Sequence, residues 1–398
     1  MLKKEVKPTI KQPTDNSSDK EIIVPKPKNE ISEFFHHLLA YGGFDLRDGI
    51  VTYWGDYSLF VPMDSFVTLF HELQKDLGVK DTQDLFYWLG RLIGYNSTVL
   101  LIKRFGLNKK KLPLFVNGAT QDGLGYLWID KYNEKLTHGT VFGTNSIFAL
   151  EYKKKYGKTN IPIDFYLCGM LAGGTEPLAE KLMKTTEVKC MGKGDKKCVY
   201  ELEHIPNKQS FNFFNSLKLN ENEIFKKTLK IISRRKTNFK LLGKKEIVFG
   251  DGSFKLRDIT GINFMNYGMI VFNEILRQKF GKNKIKYDNI LVKTSLDSIK
   301  DRVINKNLKE ILKEIEIFGY GKFNIKIQGK NKIIINNNNN PYPRDLSLIL
   351  GRSKIPVDTF IVNLLEGIYE LNGKKAKVNE LKCAGKGDRE CIFEINLL

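Results

Sequence analysis

The chain has 398 residues, 41% of them hydrophobic and 28% charged, with five cysteines and a formal net charge of +20. That length fits two domains, each with its own core. The composition excludes a disordered chain and a disulfide-dense secreted scaffold, and no apolar run approaches the roughly 18 residues that span a bilayer.

The opening residues, MLKKEVKPTIKQPTDNSSDK, lack the apolar core of a signal peptide, so the expected location is the cytoplasm, without membrane attachment. Residues 1–29 carry Pro8, Pro13, Pro25 and Pro27 among Lys, Ser and Asn, and are expected to form a disordered tail. Order is expected from EISEFFHHLLAYGG, where Phe34, Leu38 and Leu39 recur at helical spacing. The strand-like run IVTYW leads through GDYS (55–58) into two amphipathic helices, SFVTLFHELQKDLG and DLFYWLGRLIGYNSTVLLIKRFG. GLGYLWIDKYNEK (123–135) then opens on a glycine hinge and alternates like a strand. IPIDFYLCGMLAGG reads as a buried helix carrying Cys168. In TTEVKCMGKGDKKCVYELE, alternation on both sides of a turn containing Gly192 and Gly194 predicts a hairpin with Cys190 and Cys198 facing each other. Glu187 lies three residues before Cys190, where a bend or bulge would turn it toward the thiolates.

Much of this is then written again. CMGKGDKKC (190–198) recurs as CAGKGDREC (383–391), and YGKTNIPIDFYLCGMLAG (156–173) aligns without gaps on LGRSKIPVDTFIVNLLEG (350–367). GDYS has a counterpart in GDGS (250–253), after the run EIVF, and GLGYLWIDKYNEK in GYGKFNIKIQGKN (319–331). A whole-domain duplication follows, with copies at 30–205 and 206–398. INFMNYGMIVFNEILRQKFG supplies an amphipathic helix of the second copy, whereas IIINNNNNPYPRD (333–345) reads as a long polar loop. The predicted fold class is α+β: two tandem copies of an antiparallel sheet packed with helices, each ending in a cysteine hairpin. Such a tandem is expected to pack as an intramolecular pseudo-dimer, monomeric in solution.

About three quarters of the excess positive charge lies beyond residue 200, spread over Lys- and Asn-rich sequence such as KKTLKIISRRKTNFK (226–240). It fits a solvated lysine-rich surface first and a nucleic-acid contact second.

Cys168, Glu187, Cys190 and Cys198 together offer three sulfurs and a carboxylate, a set that closes a tetrahedral zinc site. A cross-strand disulfide between Cys190 and Cys198, or three unconnected core thiols, fits the spacing as well. The pattern Glu-x2-Cys-x7-Cys, preceded by a cysteine on a Gly-rich helix and by TNSIFALEY (144–152), resembles the 4-vinyl-reductase-type, or hydrocarbon-binding, domain family. That family includes the ligand-sensing domains of phenol-responsive activators, and its fold is similar to that of a vesicle-tethering complex subunit and of haem nitric-oxide sensors. The resemblance implies that Cys168, Glu187, Cys190 and Cys198 bind one structural zinc. It also implies an apolar cavity for an apolar or aromatic molecule, for which Trp128, Phe142, Phe148, Phe165, Tyr166 and Met170 are candidate walls. In the second copy Glu380, Cys383 and Cys391 are present but Val362 stands at the position of Cys168. That copy is expected to bind metal weakly or not at all.

No Walker loop, dinucleotide fingerprint, HExxH or nucleophile elbow occurs, so no nucleotide cofactor and no catalytic residue is assigned. The haem-binding motif of the nitric-oxide sensors is missing too, and no haem is expected. The first reading is therefore a small-molecule sensor, regulator or carrier acting through a protein partner. A nucleic-acid-associated regulator using the basic second copy, and an enzyme or subunit of tetrapyrrole or cofactor metabolism, are the alternatives.

Overall fold

The computed structural model describes residues 21–24, 44–47, 50–53, 56–113, 116, 123–207, 211, 217–234, 247–250, 253–256 and 258–398. The helix expected at EISEFFHHLLAYGG lies outside them, as does most of the expected tail.

In the first copy, strands β1 (Glu21–Ile23), β2 (Phe44–Arg47), β3 (Ile50–Tyr53) and β4 (Asp56–Pro62) precede helices α1 (Met63–Leu77) and α2 (Val79–Phe105). There follow β5 (Tyr126–Asn133), β6 (His138–Thr144), α3 (Ile147–Tyr156), α4 (Phe165–Ala179) and the hairpin β7 (Met183–Lys189) and β8 (Cys198–His204). Helix α5 (Glu221–Arg234) leads to β9 (Ile247–Gly250), β10 (Ser253–Leu256), β11 (Ile259–Met265), α6 (Asn266–Phe280), α7 (Ile285–Val303) and α8 (Leu308–Glu316). The second copy closes with β12 (Lys322–Gln328), β13 (Lys332–Asn338), α9 (Pro341–Leu350), α10 (Thr359–Leu371), β14 (Ala376–Lys382) and β15 (Cys391–Leu397).

The protein is α+β, with helices packed on antiparallel sheets. One sheet, β1-β5-β6-β8-β7, belongs to the first copy and one, β12-β13-β15-β14, to the second. The third has six strands in the order β2-β3-β4-β11-β10-β9 and draws half of them from each copy. Its central pair, β4 and β11, runs antiparallel from Gly261 opposite Pro62 to Met265 opposite Ser58. Both strands are apolar and buried, so the sheet joins the copies through their cores rather than at an edge. This joint is the geometry an intramolecular pseudo-dimer requires.

Four expectations need correcting. Residues 21–23, within the expected tail, form strand β1 on the free edge of β5, where the run EIIV has the β-branched side chains that suit backbone pairing. The two three-stranded meanders match at a constant spacing of 203 residues, so GDGS corresponds to RDGI (47–50) and not to GDYS. What those two share by sequence is an Asp-Gly pair between adjacent strands, a hairpin signal that any similar turn would give. INFM (262–265) ends β11, and the helix begins only at Asn266. The asparagine run is not a loop. Its first part is strand β13, and the side-chain Nδ2 groups of buried Asn336 and Asn337 find partners there: Asn337 Nδ2 donates to the Tyr320 carbonyl at 2.7 Å, and Asn336 Nδ2 donates to Glu390.

Helix α4 is held against α2 by glycines spaced four apart on both, which places them on one face of each helix. A Cβ at Gly169 would stand 1.8 Å from the Tyr87 carbonyl oxygen, and one at Gly90 only 1.9 Å from that of Tyr166. Across the same contact, buried Arg91 donates to both carboxylate oxygens of buried Glu176 at 2.9 and 3.1 Å, and to Glu221 of α5 at 3.2 Å. The cysteine-bearing helix is therefore fixed before the hairpin reaches it.

Candidate metal centre and adjoining cavities

Strands β7 and β8 pair Glu187 with Tyr200 and Lys189 with Val199, so Val188 is the extra residue of a β-bulge. Glu187, 5% exposed, faces inward by the same alternation as Met183 and Thr185, and the bulge, whose two residues face water, returns Cys190 to that face. Beyond it the turn closes tightly. Asp195 Oδ2 accepts from Cys190 N at 2.8 Å, Met191 N donates to Cys198 Sγ at 3.3 Å, and Gly194 supplies a φ of +105° that a side chain would resist. Cys190 and Cys198 are both fully buried, and the ligand atoms of Glu187, Cys190 and Cys198 lie within 4.8 Å of one another.

Glu187 Oε2 accepts from Ile163 N and Asp164 N, at 3.1 and 3.0 Å, where the chain enters α4. Its other oxygen, Oε1, is buried without a hydrogen-bond partner. Burial, reinforced by Asp164, holds this carboxyl well above the usual range. The hydrogen bond from the Cys198 thiol draws Cys190 down to about 7 and pushes Cys198 up. One sulfur of the pair is thus ready to serve as a thiolate, the form that ligates metals. An orphaned carboxylate oxygen beside two thiols costs free energy unless a cation satisfies it, so the donor set fits zinc.

Cys168 is buried on α4, with its amide donating to the Asp164 carbonyl at 2.9 Å. Burial raises its thiol, and Glu187, Asp164 and Cys190 raise it further, which places it beside the cluster. Among the described residues, however, the set with all ligand atoms within 4.8 Å of each other contains Glu187, Cys190 and Cys198 without it. A residue missed from the sequence stands closer to Cys198. Asp164 Oδ2 accepts from Ser146 Oγ at 2.6 Å and Tyr200 OH at 2.8 Å, and lies 3.7 Å from Cys198 Sγ. Its signal was visible, since the IP-x-D core that both copies share ends on this aspartate.

The second hairpin repeats the construction. A bulge between Glu380 and Lys382 brings Cys383 to the face of the glutamate, Asp388 Oδ2 accepts from Cys383 N at 2.8 Å, and Ala384 N donates to Cys391 Sγ at 3.4 Å. Glu380, Cys383 and Cys391 are again mutually within 4.8 Å, and again one carboxylate oxygen, Glu380 Oε1, is buried without a partner. The Cys391 thiol lowers Cys383 to about 5, while burial lifts Glu380 to about 9. Val362 N donates to the Asp358 carbonyl just as Cys168 N does to that of Asp164, so the valine does occupy the place of the missing cysteine.

The six candidate wall residues lie at several places in the first copy. Tyr166 packs edge-on to Phe66 at 5.3 Å and stacks near Phe264 at 5.7 Å, while Phe148 sits against Phe66 and Phe70. Met170 is buried at the contact of α4 with α2, and Phe165 is half-buried. Trp128 and Phe142 pair with each other across β5 and β6. Strand alternation sets Phe142 in register with Val199, on the sheet face opposite Cys198 and Tyr200. Periodicity along one strand does not tell which face the helices cover.

Among the described residues, the second copy has a sizeable open space. A cleft of about 320 Å3 runs between α6, α9 and residues 350–359, lined by Ile270, Asn273, Arg277, Leu346, Leu350 and Arg352 among others. Asn273, Tyr342, Val357 and Thr359 also border an inner cavity of about 30 Å3 that reaches Asp358. At the equivalent place in the first copy, Phe70 and Phe148 lie 5.3 Å apart, and His71 stacks on Tyr156 at 3.7 Å while its Nδ1 lies 3.2 Å from Tyr152 OH. At the 203- and 194-residue spacings that relate these helices, Phe70, Tyr152 and Tyr156 correspond to Asn273, Leu346 and Leu350.

No protein-family model matches the sequence, and no curated protein does. Among solved structures, the chain is similar to the phenol-responsive sensory domain of the transcription activator PoxR, determined with phenol, at 17% identity and a TM-score of 0.41, over 47% of this chain and 97% of that one. It is also similar to a vinyl-4-reductase family protein from Methanocaldococcus jannaschii, at 21% identity and a TM-score of 0.21, over 32% of this chain and 90% of that one. A trafficking protein particle complex subunit 3 from Naegleria fowleri, covalently bound to palmitic acid, matches at 12% identity and a TM-score of 0.27, over 37% and 98%. Each spans less than half of this chain. Among the described residues, no helix is long and apolar enough to cross a membrane.

Proposed function

We propose that this chain is a small-molecule-binding protein, a sensor or carrier, whose ligand occupies the cleft of the second copy while the first copy is a closed, zinc-stabilised scaffold. One observation carries the reading: side chains that fill the first copy are replaced, position for position, by smaller or more polar ones around a cleft of ligand size. Ile270, Leu346, Leu350 and Val357 offer apolar contact, and Asn273, Tyr342, Arg352 and Thr359 offer hydrogen bonds. The chemistry fits an apolar or aromatic body bearing one polar group.

In the first copy, Glu187, Cys190 and Cys198 would hold the zinc and Cys168 would complete the set, cross-linking α4 to the hairpin. Four protein ligands leave no open position, so its role would be structural. Cys168→Ser, which leaves the three ligands Glu187, Cys190 and Cys198, is expected to weaken the site, so that its zinc is released to a chelator faster than from the wild type.

The ligand reading is tested with phenol and palmitate as probes, following the heat-stability midpoint and the native mass. Asn273→Phe, which installs the first copy's residue, should abolish the ligand-induced rise in midpoint that binding to the folded state produces. A wild-type protein that responds to neither probe and carries no copurifying small molecule would defeat the proposal. So would a response that Asn273→Phe leaves intact.

A further inference from the structure

The second hairpin holds a set of donors that the ligand reading does not use. Glu380, Cys383 and Cys391 converge within 4.8 Å, and both sulfurs belong to side chains with no exposed surface. A disulfide is not formed between them. One carboxylate oxygen is already engaged, since Glu380 Oε2 accepts from Asp358 N at 3.1 Å, and this bond fixes the carboxylate plane. Its partner oxygen Oε1 is buried from solvent without a nitrogen or oxygen partner, and the Cys383 thiol is the neighbour left to the carboxyl. A buried acceptor in that condition costs free energy, more if it carries charge. A bulge follows Glu380 as one follows Glu187, and in each hairpin it returns the next cysteine to the face that already carries the glutamate, so carboxylate and thiols converge.

We propose that the second hairpin is a metal site in its own right, of the open kind: Glu380, Cys383 and Cys391 hold zinc or a similar thiophilic divalent cation and leave one coordination position to an exogenous donor. Val362, where the first copy has Cys168, offers no ligand atom, and three protein ligands with a free fourth position is the arrangement that exchanges water or a small thiol. The two copies then divide the work, one centre closed and one exchangeable. The inference uses the same donor chemistry as the first-copy centre but does not require that centre to be filled.

The full-length protein is loaded with zinc, and release to a colorimetric chelator is followed. Two equivalents per chain are expected, one leaving about 10- to 100-fold faster than the other, the scale on which changes around a metal site alter its affinity. Cys383→Ser and Cys391→Ser should each remove the fast equivalent alone. Val362→Cys, which restores the fourth sulfur, should slow that equivalent to the rate of the other without lowering the total. With cobalt in place of zinc, imidazole should shift the visible bands of the Cys190→Ser protein, which reports the second site alone, and should no longer do so once Val362→Cys is added. A wild-type protein that binds a single equivalent, left unchanged by Cys383→Ser and Cys391→Ser, would overturn the proposal. Loss of both equivalents on Cys190→Ser would do so too, since the second site would then not be independent. If the single equivalent found is the one lost on Cys383→Ser, the second site stands and the first-copy zinc fails.

Discussion

Helices α4 and α10 occupy equivalent places in the two copies, and they are gripped in different ways. Against α4, a Cβ at Gly173 would stand 2.1 Å from the Arg91 carbonyl oxygen, so backbone touches backbone. Against α10, a Cβ at the matching Gly367 would meet only the Leu296 side chain, at 2.4 Å. Glu176 of α4 is buried in a bidentate ion pair, whereas Glu370, its counterpart on α10, is exposed. The same contrast runs on into the core, with aromatic rings filling the first copy where the second keeps a cleft. Duplication supplied two copies of one architecture, and close helix packing in one of them frees the other from carrying stability at its helix interface. That freedom is what an open cleft and an open metal site both need.

The comparison breaks most sharply at Arg91. Arg91→Met strands a carboxylate among buried groups, and breaking a buried pair from one side costs about 3–5 kcal/mol, read from chemical denaturation. The loss should depend on pH. Burial already holds Glu176 above the ordinary carboxylate range, ahead of the opposing pull of Arg91, and without the arginine it rises further. A folded-state value above the unfolded one means that the native protein binds the extra proton, so stability falls as pH rises through that value. The Arg91→Met penalty should therefore shrink on acidification. A penalty that is small and flat with pH would show that the pair does not hold the helices. Glu370→Gln, the matched control, should leave the midpoint where it is.

The glycines give a matched pair of smaller effect. Gly173→Ala forces two backbones apart and should cost about 1–3 kcal/mol, the range for overpacking a close contact. At Gly367 the obstacle is the far end of a leucine that can change rotamer, and alanine gains about 1 kcal/mol of helix propensity over glycine, so Gly367→Ala should be close to neutral. Equal costs at both sites would erase the asymmetry between the copies.

How much of this could be read from the sequence depended on whether the information was local. The duplication, the cysteine hairpins, the inward glutamate and the helix after IP-x-D were legible, because turn glycines, strand alternation and a proline boundary act within a few residues. The joint between β4 and β11 was not, since an apolar strand does not name its partner. Nor was β13, because asparagine disfavours strands and the partners that admit it, Tyr320 and Glu390, are 17 and 54 residues away. Asp164 was overlooked for a related reason: its role rests on Ser146, Tyr200 and Cys198, which only the fold assembles. The face was not legible for the strand residues among the candidate walls either: Trp128 and Phe142 lie on the sheet face opposite Cys198 and Tyr200.

The finest cut comes from filling the cleft with the first copy's own side chain. Leu346 lines the cleft and corresponds to Tyr152, which in the first copy lies 6.1 Å ring to ring from Phe70. Leu346→Tyr adds a ring to a space that can take it, so no backbone has to move. At roughly 25 cal/mol per Å2 of apolar surface removed from water, the part of the ring that finds contact should stabilise the protein by about 1 kcal/mol or less. Its hydroxyl has to reach water or Asn273, which sets the upper limit on the gain. Because the space is the one assigned to the ligand, the same variant should lose the response to small-molecule probes while unfolding slightly later. A destabilised Leu346→Tyr would mean that the cleft closes on itself in solution, and the second copy would then be as tightly packed there as the first.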